Sequence, residues 1–326
     1  MNGATMRKIL ITGVAGFLGS HLAHFLLEKG NLVLGIDKIP LEEASNISPF
    51  KVHPNFRYKL IDLNEGSNLA SEIIGFDEIY LLASMVGVSR VIKDPFQTIN
   101  STLSQVKSLE KVTSRQKVFF ASTSEVYGKT ICGVPSKETD DLVLGSPEKP
   151  RWSYAVSKLL AEHFLLSLSA KNKFTLRIAR FFNLVGPGQN LSYGAVVPNF
   201  VQNVLKGSEI KVYGDGLQTR SFCHVLDAVA GVEALMTSHN AKNAIYNLGS
   251  SSAMTILELA KVVNHTLGGC SQVKLVPYQE VMPLGFEEIL HRVPDVSLIQ
   301  KDTGWKPRLG LVEIIRDTAD YLKTKV

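Results

Sequence analysis

Cysteine is scarce in this sequence. Cys132, Cys223 and Cys270 are odd in number, widely spaced and without a C-x-x-C pair. That argues against a disulfide framework or a zinc site and for reduced thiols in a cytoplasmic protein. Long apolar runs are missing too. No stretch approaches the roughly 18 residues needed to cross a bilayer, and the run beginning at Ile9 breaks too soon at a glycine turn to serve as a secretion signal. Neither a basic run nor aromatic–basic interleaving points to nucleic acid. The net charge of +5 is ordinary for a soluble domain and would suit an anionic substrate. The eight histidines are scattered, and no His/Cys/Asp cluster has metal-ligand spacing. Internal repeats and low-complexity tracts are absent. With 326 residues, 45% of them hydrophobic and 20% charged, the chain has the means for a large core and two lobes.

What is present is organised around Lys8–Gly30, KILITGVAGFLGSHLAHFLLEKG. An apolar run ends at Thr12, and glycines follow at Gly13, Gly16 and Gly19. Leu18, Leu22, Phe25 and Leu26 then recur at helical spacing, and Gly30 stands where a helix C-terminus favours a positive φ. The pattern predicts strand, glycine turn and helix. A turn without side chains lets a pyrophosphate approach the backbone, and the helix start at Phe17–Leu18 offers unpaired N–H groups. A second apolar run, Leu32–Ile36, ends in Asp37, with Lys38 beside it. A carboxylate there binds the adenine ribose hydroxyls and repels a 2′-phosphate, which favours NAD over NADP.

The rest of the chain predicts further strands at Phe56–Ile61, Glu78–Leu82, Lys117–Ala121, Phe174–Arg180 and Ile245–Leu248. Helices are expected over Pro95–Thr113 and Trp152–Lys171. Strands alternating with helices at this spacing indicate a doubly wound α/β fold with a parallel sheet. Ligands in such sheets lie beyond the carboxyl ends of the strands, where Gly13, Asp37, Asp62, Leu63, Ala83 and Thr123 fall. Asp62 would either accept from the adenine amino group or cap the next helix. Leu184–Gly216 carries several turn signals. With the segment after Ser250 it is read as part of a smaller, discontinuous lobe. The expected division is 1–183 plus about 217–250 for the cofactor, and 184–216 plus 251–326 for the substrate.

Two segments carry the chemistry. One is Ser122–Gly128, STSEVYG, at the end of the fifth strand; the other is Tyr154-Ala155-Val156-Ser157-Lys158 on the long helix. Tyr and Lys at i and i+4 share a helix face, about 6 Å apart at Cβ. A free tyrosine, with a pKa of about 10, is a poor base at neutral pH. A nearby ammonium and a positive nicotinamide ring would lower that value. Tyr154 would then remove a hydroxyl proton while hydride leaves the same carbon, with Thr123 hydrogen-bonding that hydroxyl.

These motifs, with RFFNLVGPG at Arg180–Gly188, VYGDGLQTRSFCHVLDA at Val212–Ala228, HRVPD at His291–Asp295 and GWKP at Gly304–Pro307, cover almost every segment. The chain resembles an extended short-chain dehydrogenase/reductase of the nucleotide-sugar epimerase/dehydratase/decarboxylase group. The resemblance implies a tightly held NAD, a triad of Thr123, Tyr154 and Lys158, a UDP-sugar substrate oxidised at C4, and commonly a homodimer joined through a helical bundle. It implies that Asn183 reaches the diphosphate region, that Arg220 and Arg292 bind the diphosphate, and that Val196 and Tyr213 hold the uridine. Alternatively the two arginines are surface ion-pair partners.

A 4-epimerase needs only the triad and room for the ketosugar to turn. Glu125 goes beyond that requirement, either as an acid or base near C5 and C6 or as a buried structural partner. Thr-Ser-Glu at 123–125, EKPRWSYAVSK at Glu148–Lys158 and the RVPD around Arg292 resemble the UDP-glucuronate decarboxylases. In that branch the 4-keto group is the electron sink for loss of CO2, and Ser124, Glu125 and Arg292 manage proton and carboxylate. The sequence around the tyrosine differs from that of typical UDP-xylose synthases, and RFFNLVGPGQ with SYGAVVPNF is shared with many 4-epimerases. Decarboxylation of UDP-glucuronate therefore leads, ahead of 4-epimerisation of UDP-glucose or a UDP-hexuronate and of 4,6-dehydration. The alternative from another class is an NAD-binding sensor without catalysis.

Overall fold

The computed structural model describes residues 6–64, 69–131, 133–242 and 244–325, except for the side chain of Tyr193; Cys132 lies outside them. Seven parallel strands form the main sheet: β1 Lys8–Thr12, β2 Leu32–Asp37, β3 Phe56–Leu60, β4 Glu78–Leu81, β5 Lys117–Thr123, β6 Thr175–Phe181 and β7 Ile245–Leu248. Their order is β7-β6-β5-β4-β1-β2-β3. The order reverses between β1 and β4, the place where doubly wound sheets open a crevice for ligands.

Among the described residues, seven helices have ten residues or more: α1 Phe17–Glu28, α2 Pro95–Lys107, α3 Ser153–Asn172, α4 Val196–Leu205, α5 Val225–Thr237, α6 Ile256–Thr266 and α7 Leu311–Lys323. Alternation along the strands builds a core on each face of the sheet. Ile9 and Ile11 of β1 join Leu22 and Leu26 of α1 and Val229 and Val232 of α5. Leu10, between them in sequence, points the other way, with Val118 and Phe120 of β5, Val106 of α2 and Leu165 of α3. A third core lies apart, where α4, α6 and α7 bring Val197, Phe200, Leu259, Val263, Ile314 and Ile315 together. Ile299 and Trp305, late in the chain, belong instead to the core shared by α1 and α5.

Three expectations shift. The helix over Pro95–Thr113 ends at Lys107 and continues only as a 3₁₀ turn, Ser108–Lys111. Ser108 donates its hydroxyl to the Gln105 carbonyl at 2.6 Å, a local bond that competes with the helical ladder. The turn-rich stretch Leu184–Gly216 holds α4 and the strand Ile210–Tyr213. Val197, Phe200, Val201 and Val204 are the buried stripe of that helix, and Pro198 is tolerated because it falls in the first turn. Finally, β5 runs two residues further than expected, so that Thr123 is its last residue. Among the described residues, no helix is long and apolar enough to cross a membrane.

Candidate active site

The carboxyl edge of the sheet is drawn tight around the first glycine turn. The buried Thr12 hydroxyl accepts from the N–H groups of Leu82 and Ala83, at 3.1 and 3.3 Å, and ties β1 to the end of β4. A Cβ on Gly13 would sit 2.7 Å from the Ala83 nitrogen, and one on Gly19 would sit 2.1 Å from the Gly13 carbonyl oxygen. Only glycine fits at either place. Helix α1 starts on Gly16 with no side-chain cap, which leaves first-turn N–H groups for an anion.

Asp37, at the end of β2, accepts from Ala15 N–H at 2.9 Å and from Lys38 N–H at 2.8 Å. Burial raises its pKa in spite of these bonds. Asp62 accepts from the backbone and side-chain amides of Asn64, at 2.9 and 2.8 Å, and closes a local turn; residues 65–68, where it would cap a helix, lie outside those described. A cavity of about 640 Å³ follows this edge. It is lined by Gly13, Gly16, Phe17, Leu18, Gly19, Asp37, Lys38, Asp62, Leu63 and Ala83, all expected to face the cofactor. The side-chain-free cradle, the open helix start and the strand-end carboxylate together fit NAD.

The same cavity reaches Thr123, Ser124, Glu125, Tyr154, Lys158, Asn183 and Arg292. Thr123 caps the turn after β5 by accepting from Glu125 N–H at 3.3 Å, so its own proton is available to donate. Tyr154 faces Ser84 and Thr123. Lys158, 1% exposed, donates to the Ala121 carbonyl at 2.8 Å, with its nitrogen 5.9 Å from the Tyr154 ring centre.

The expected lowering of the tyrosine pKa does not arise from the protein's own groups. Burial and the Glu125 charge push Tyr154 up to about 12, against the pull of Ser84, Thr123 and Arg292. Burial also brings Lys158 down to about 7, with Glu162 opposing. Glu162 is one turn beyond Lys158 and is itself bound to Arg180 at 2.7 Å and to the Ser122 hydroxyl. Desolvation therefore dominates both groups.

Glu125 is an ion-pair partner. Arg151 donates to its Oε2 at 2.6 Å and Arg292 to its Oε1 at 3.1 Å. Burial alone would raise the Glu125 pKa, but the two guanidiniums outweigh it and hold the group ionised. The other Arg292 nitrogen donates to Asn183 Oδ1 at 2.8 Å.

Val196, Tyr213 and Arg220 do not line this cavity, although Ala195 beside Val196 does. Val196 opens α4, and Tyr213 is 38% exposed at the end of its strand. Arg220 is buried and bound to Glu288 at 2.6 Å. Burial and the neighbouring Arg292 push it down to about 10, against the pull of Glu288.

Three contributors went unread in the sequence. Arg151 lies three residues before Tyr154, inside a stretch whose resemblance was noted, but its partner was not. Ser84 lies just past the predicted strand Glu78–Leu82 and carried no signal of its own. Glu288 had no signal at all.

A family model described as the NAD dependent epimerase/dehydratase family matches residues 9–249. The chain belongs to this family. Among its relatives, the UDP-N-acetyl-alpha-D-glucosaminuronate decarboxylase of Bacillus cytotoxicus is 33% identical over 97% of this chain and 98% of its own length. UDP-glucuronic acid decarboxylase 1 of Xenopus tropicalis is 32% identical over 98% of this chain and 73% of its own. Among solved structures, UDP-glucuronic acid 4-epimerase from Bacillus cereus, in complex with UDP-glucuronic acid and NAD, superposes with a TM-score of 0.84 at 25% identity, covering 98% of this chain and 100% of that one. UDP-N-acetylglucosamine 4-epimerase from Methanobrevibacter ruminantium, in complex with UDP-N-acetylmuramic acid, gives 0.86 at 26% identity, covering 99% and 100%. This member of the epimerase/dehydratase family is thus an NAD-dependent nucleotide-sugar enzyme with a Rossmann-type sheet.

Proposed function

We propose that this enzyme decarboxylates a UDP-hexuronate, UDP-glucuronate first, through a 4-keto sugar. The observation that carries the reading is the ionised Glu125 between Arg151 and Arg292, in the same cavity as Thr123 and Tyr154. A neutral hexose has no use for paired guanidiniums beside the reacting carbon, whereas a uronate brings a carboxylate to that place. The names of the Bacillus cytotoxicus and Xenopus tropicalis relatives support the same choice. Epimerisation of the intact uronate is the second reading, favoured by the likeness to the Bacillus cereus enzyme.

Held by the Gly13–Gly19 turn and Asp37, NAD would supply the hydride chemistry at C4 of the sugar. Tyr154 takes the proton of the C4 hydroxyl, and Thr123 orients that hydroxyl. Lys158, buried against Ala121, sets the charge beside the tyrosine. Once C4 is a ketone, the C5–carboxyl bond breaks, its electron pair passes into the C4–C5 enolate, and CO2 leaves. Arg151 and Arg292 hold the carboxylate until then, and C5 takes a proton from a water that Ser124 and the Glu125 carboxylate orient. Asn183, Arg220, Tyr213 and Val196 belong to the nucleotide side of this reading.

We read the lobes as 1–183 with about 217–250 and 184–216 with 251–326; the separate core of α4, α6 and α7 supports that division, while Ile299 and Trp305 reach back to the sheet. Val156 and Leu160, exposed one turn apart on α3, suit a homodimer through the outer face of that helix. The free thiols Cys223 and Cys270 suit a cytoplasmic location.

The test is mass spectrometry of the nucleotide sugar after incubation with NAD and UDP-glucuronate, and in parallel with UDP-N-acetylglucosaminuronate. A product lighter by one CO2 is expected. Unchanged mass with a new chromatographic peak would overturn decarboxylation in favour of epimerisation.

A further inference from the structure

Arg151 comes from the single turn Pro150–Trp152 ahead of α3, and only 4% of it is exposed. Its Nη1 and that of Arg292 bind different oxygens of Glu125, so one carboxylate bridges two guanidiniums. Neither guanidinium is fully used. Nε of Arg151 and Nε of Arg292 are both buried without a hydrogen-bond partner among the described residues. A buried donor left unpaired costs about 1–3 kcal/mol, so two of them in one cluster point to an acceptor that arrives from outside. The local charge points the same way: Arg151, Arg220 and Arg292 form ion pairs with only two carboxylates, Glu125 and Glu288, and the nearby Glu287 is already bridged to Lys129 and Lys149.

We propose that Arg151 and Arg292 form a two-sided clamp for the sugar carboxylate, and that Glu125 fills this clamp in the free enzyme and is exchanged for that carboxylate on binding. The proposal rests on the uronate reading above. A guanidinium binds a carboxylate best through two parallel N–H groups, and each arginine now gives Glu125 only one. The incoming group has the same chemistry as the one it replaces, so no guanidinium is left buried and unpaired by the exchange. A neutral hexose offers nothing to trade, and Glu125 stays in place. Arg151 is therefore a specificity-determining residue, and the exchange itself reads the substrate.

The experiment uses the NAD-loaded enzyme in a Tyr154→Phe background, so that nothing reacts, and calorimetric titration with UDP, UDP-glucose and UDP-glucuronate. The parent should bind UDP-glucuronate about tenfold more tightly than UDP-glucose, on the scale of one charge-assisted contact. Arg151→Gln should remove most of that ratio and leave UDP and UDP-glucose within about twofold. Arg151→Lys should keep part of it. Glu125→Gln should tighten UDP-glucuronate several-fold, because the internal competitor is weakened. Retained UDP affinity shows that a variant is folded; if Arg151→Gln fails that check, Arg151→Lys and Glu125→Gln carry the test. An Arg151→Gln enzyme with the full ratio overturns the clamp, and weaker uronate binding by Glu125→Gln overturns the exchange. A parent enzyme with no preference for the uronate overturns the uronate reading itself, so the two failures are separable.

Discussion

Arg220 and Arg292 are register partners in the parallel pairing of Thr219–Ser221 with His291–Arg292, yet they reach different carboxylates. Arg220 binds Glu288 at 2.6 Å and Arg292 binds Glu125 at 3.1 Å. Two like charges are thus held side by side by acids from two other segments. The substrate's anionic groups meet arginines that already have partners, so binding depends on displacing or sharing them.

That arrangement predicts the effect of Glu288→Gln. With its carboxylate partner gone, the Arg220 fork is open to a phosphate, and UDP affinity should rise about threefold to tenfold. The melting temperature without ligand should fall, because a largely buried guanidinium has lost its counter-charge. Calorimetry and thermal unfolding measure both. Unchanged or weaker UDP binding would show that Arg220 does not meet the diphosphate.

Tyr154→Phe removes the hydroxyl without emptying the space it fills. Turnover should drop by about a thousandfold, within the usual range for a lost general acid or base. NAD content, measured by absorbance after denaturation, should not change. Full turnover in this variant would take Tyr154 out of the mechanism.

Lys158 sets a pH dependence of stability. Burial brings it down to about 7 in the folded protein, whereas the unfolded chain keeps that proton to about pH 10. Between these values the unfolded state binds more protons, so this group's contribution to stability rises with pH. Below about 7 both states are protonated, and the cost of burying the ammonium is fully present. Lys158→Met should therefore melt higher than the parent at about pH 6.5 and lose that advantage by about pH 9.5. Melting curves at the two pH values decide it; a constant difference would mean that the lysine does not titrate in the folded state.

Gly19→Ala tests the glycine turn. The added methyl meets the Gly13 carbonyl oxygen at 2.1 Å, and backbone on both sides leaves no flexible tip to move. NAD retention should be lost together with several degrees of melting temperature, since overpacking costs about 1–3 kcal/mol. Normal NAD content would contradict the close approach of α1 to the turn.

What could be read from the sequence is what local chemistry decides. The glycine turn, the strand ends at Asp37 and Thr123, and the shared helix face of Tyr154 and Lys158 follow from short-range spacing, and the fold brings them to one cavity. The helix α4 was hidden because turn residues at Gly186–Gln189 and Ser192–Gly194 dominate the text before it. Arg151 and Glu288 were out of reach for another reason. Arg151 and Glu125 are separated by 26 positions, and Arg220 and Glu288 by 68, so their meeting depends on tertiary assembly. Burial is what a helix-face argument does not contain, and with the Glu125 charge it sets the Tyr154 pKa high before any nicotinamide charge is added.

Glu287 and Glu288 are neighbours that reach in different directions. Glu287 accepts from Trp152 Nε1 at 2.8 Å and pairs with Lys149 at 3.0 Å, just ahead of the helix that bears Tyr154, while Glu288 binds Arg220. Inserting or deleting one residue here would send each carboxylate to the other's partner or to neither. Length is therefore what this segment has to keep: a frame change before His291 would unhitch both halves of the site together.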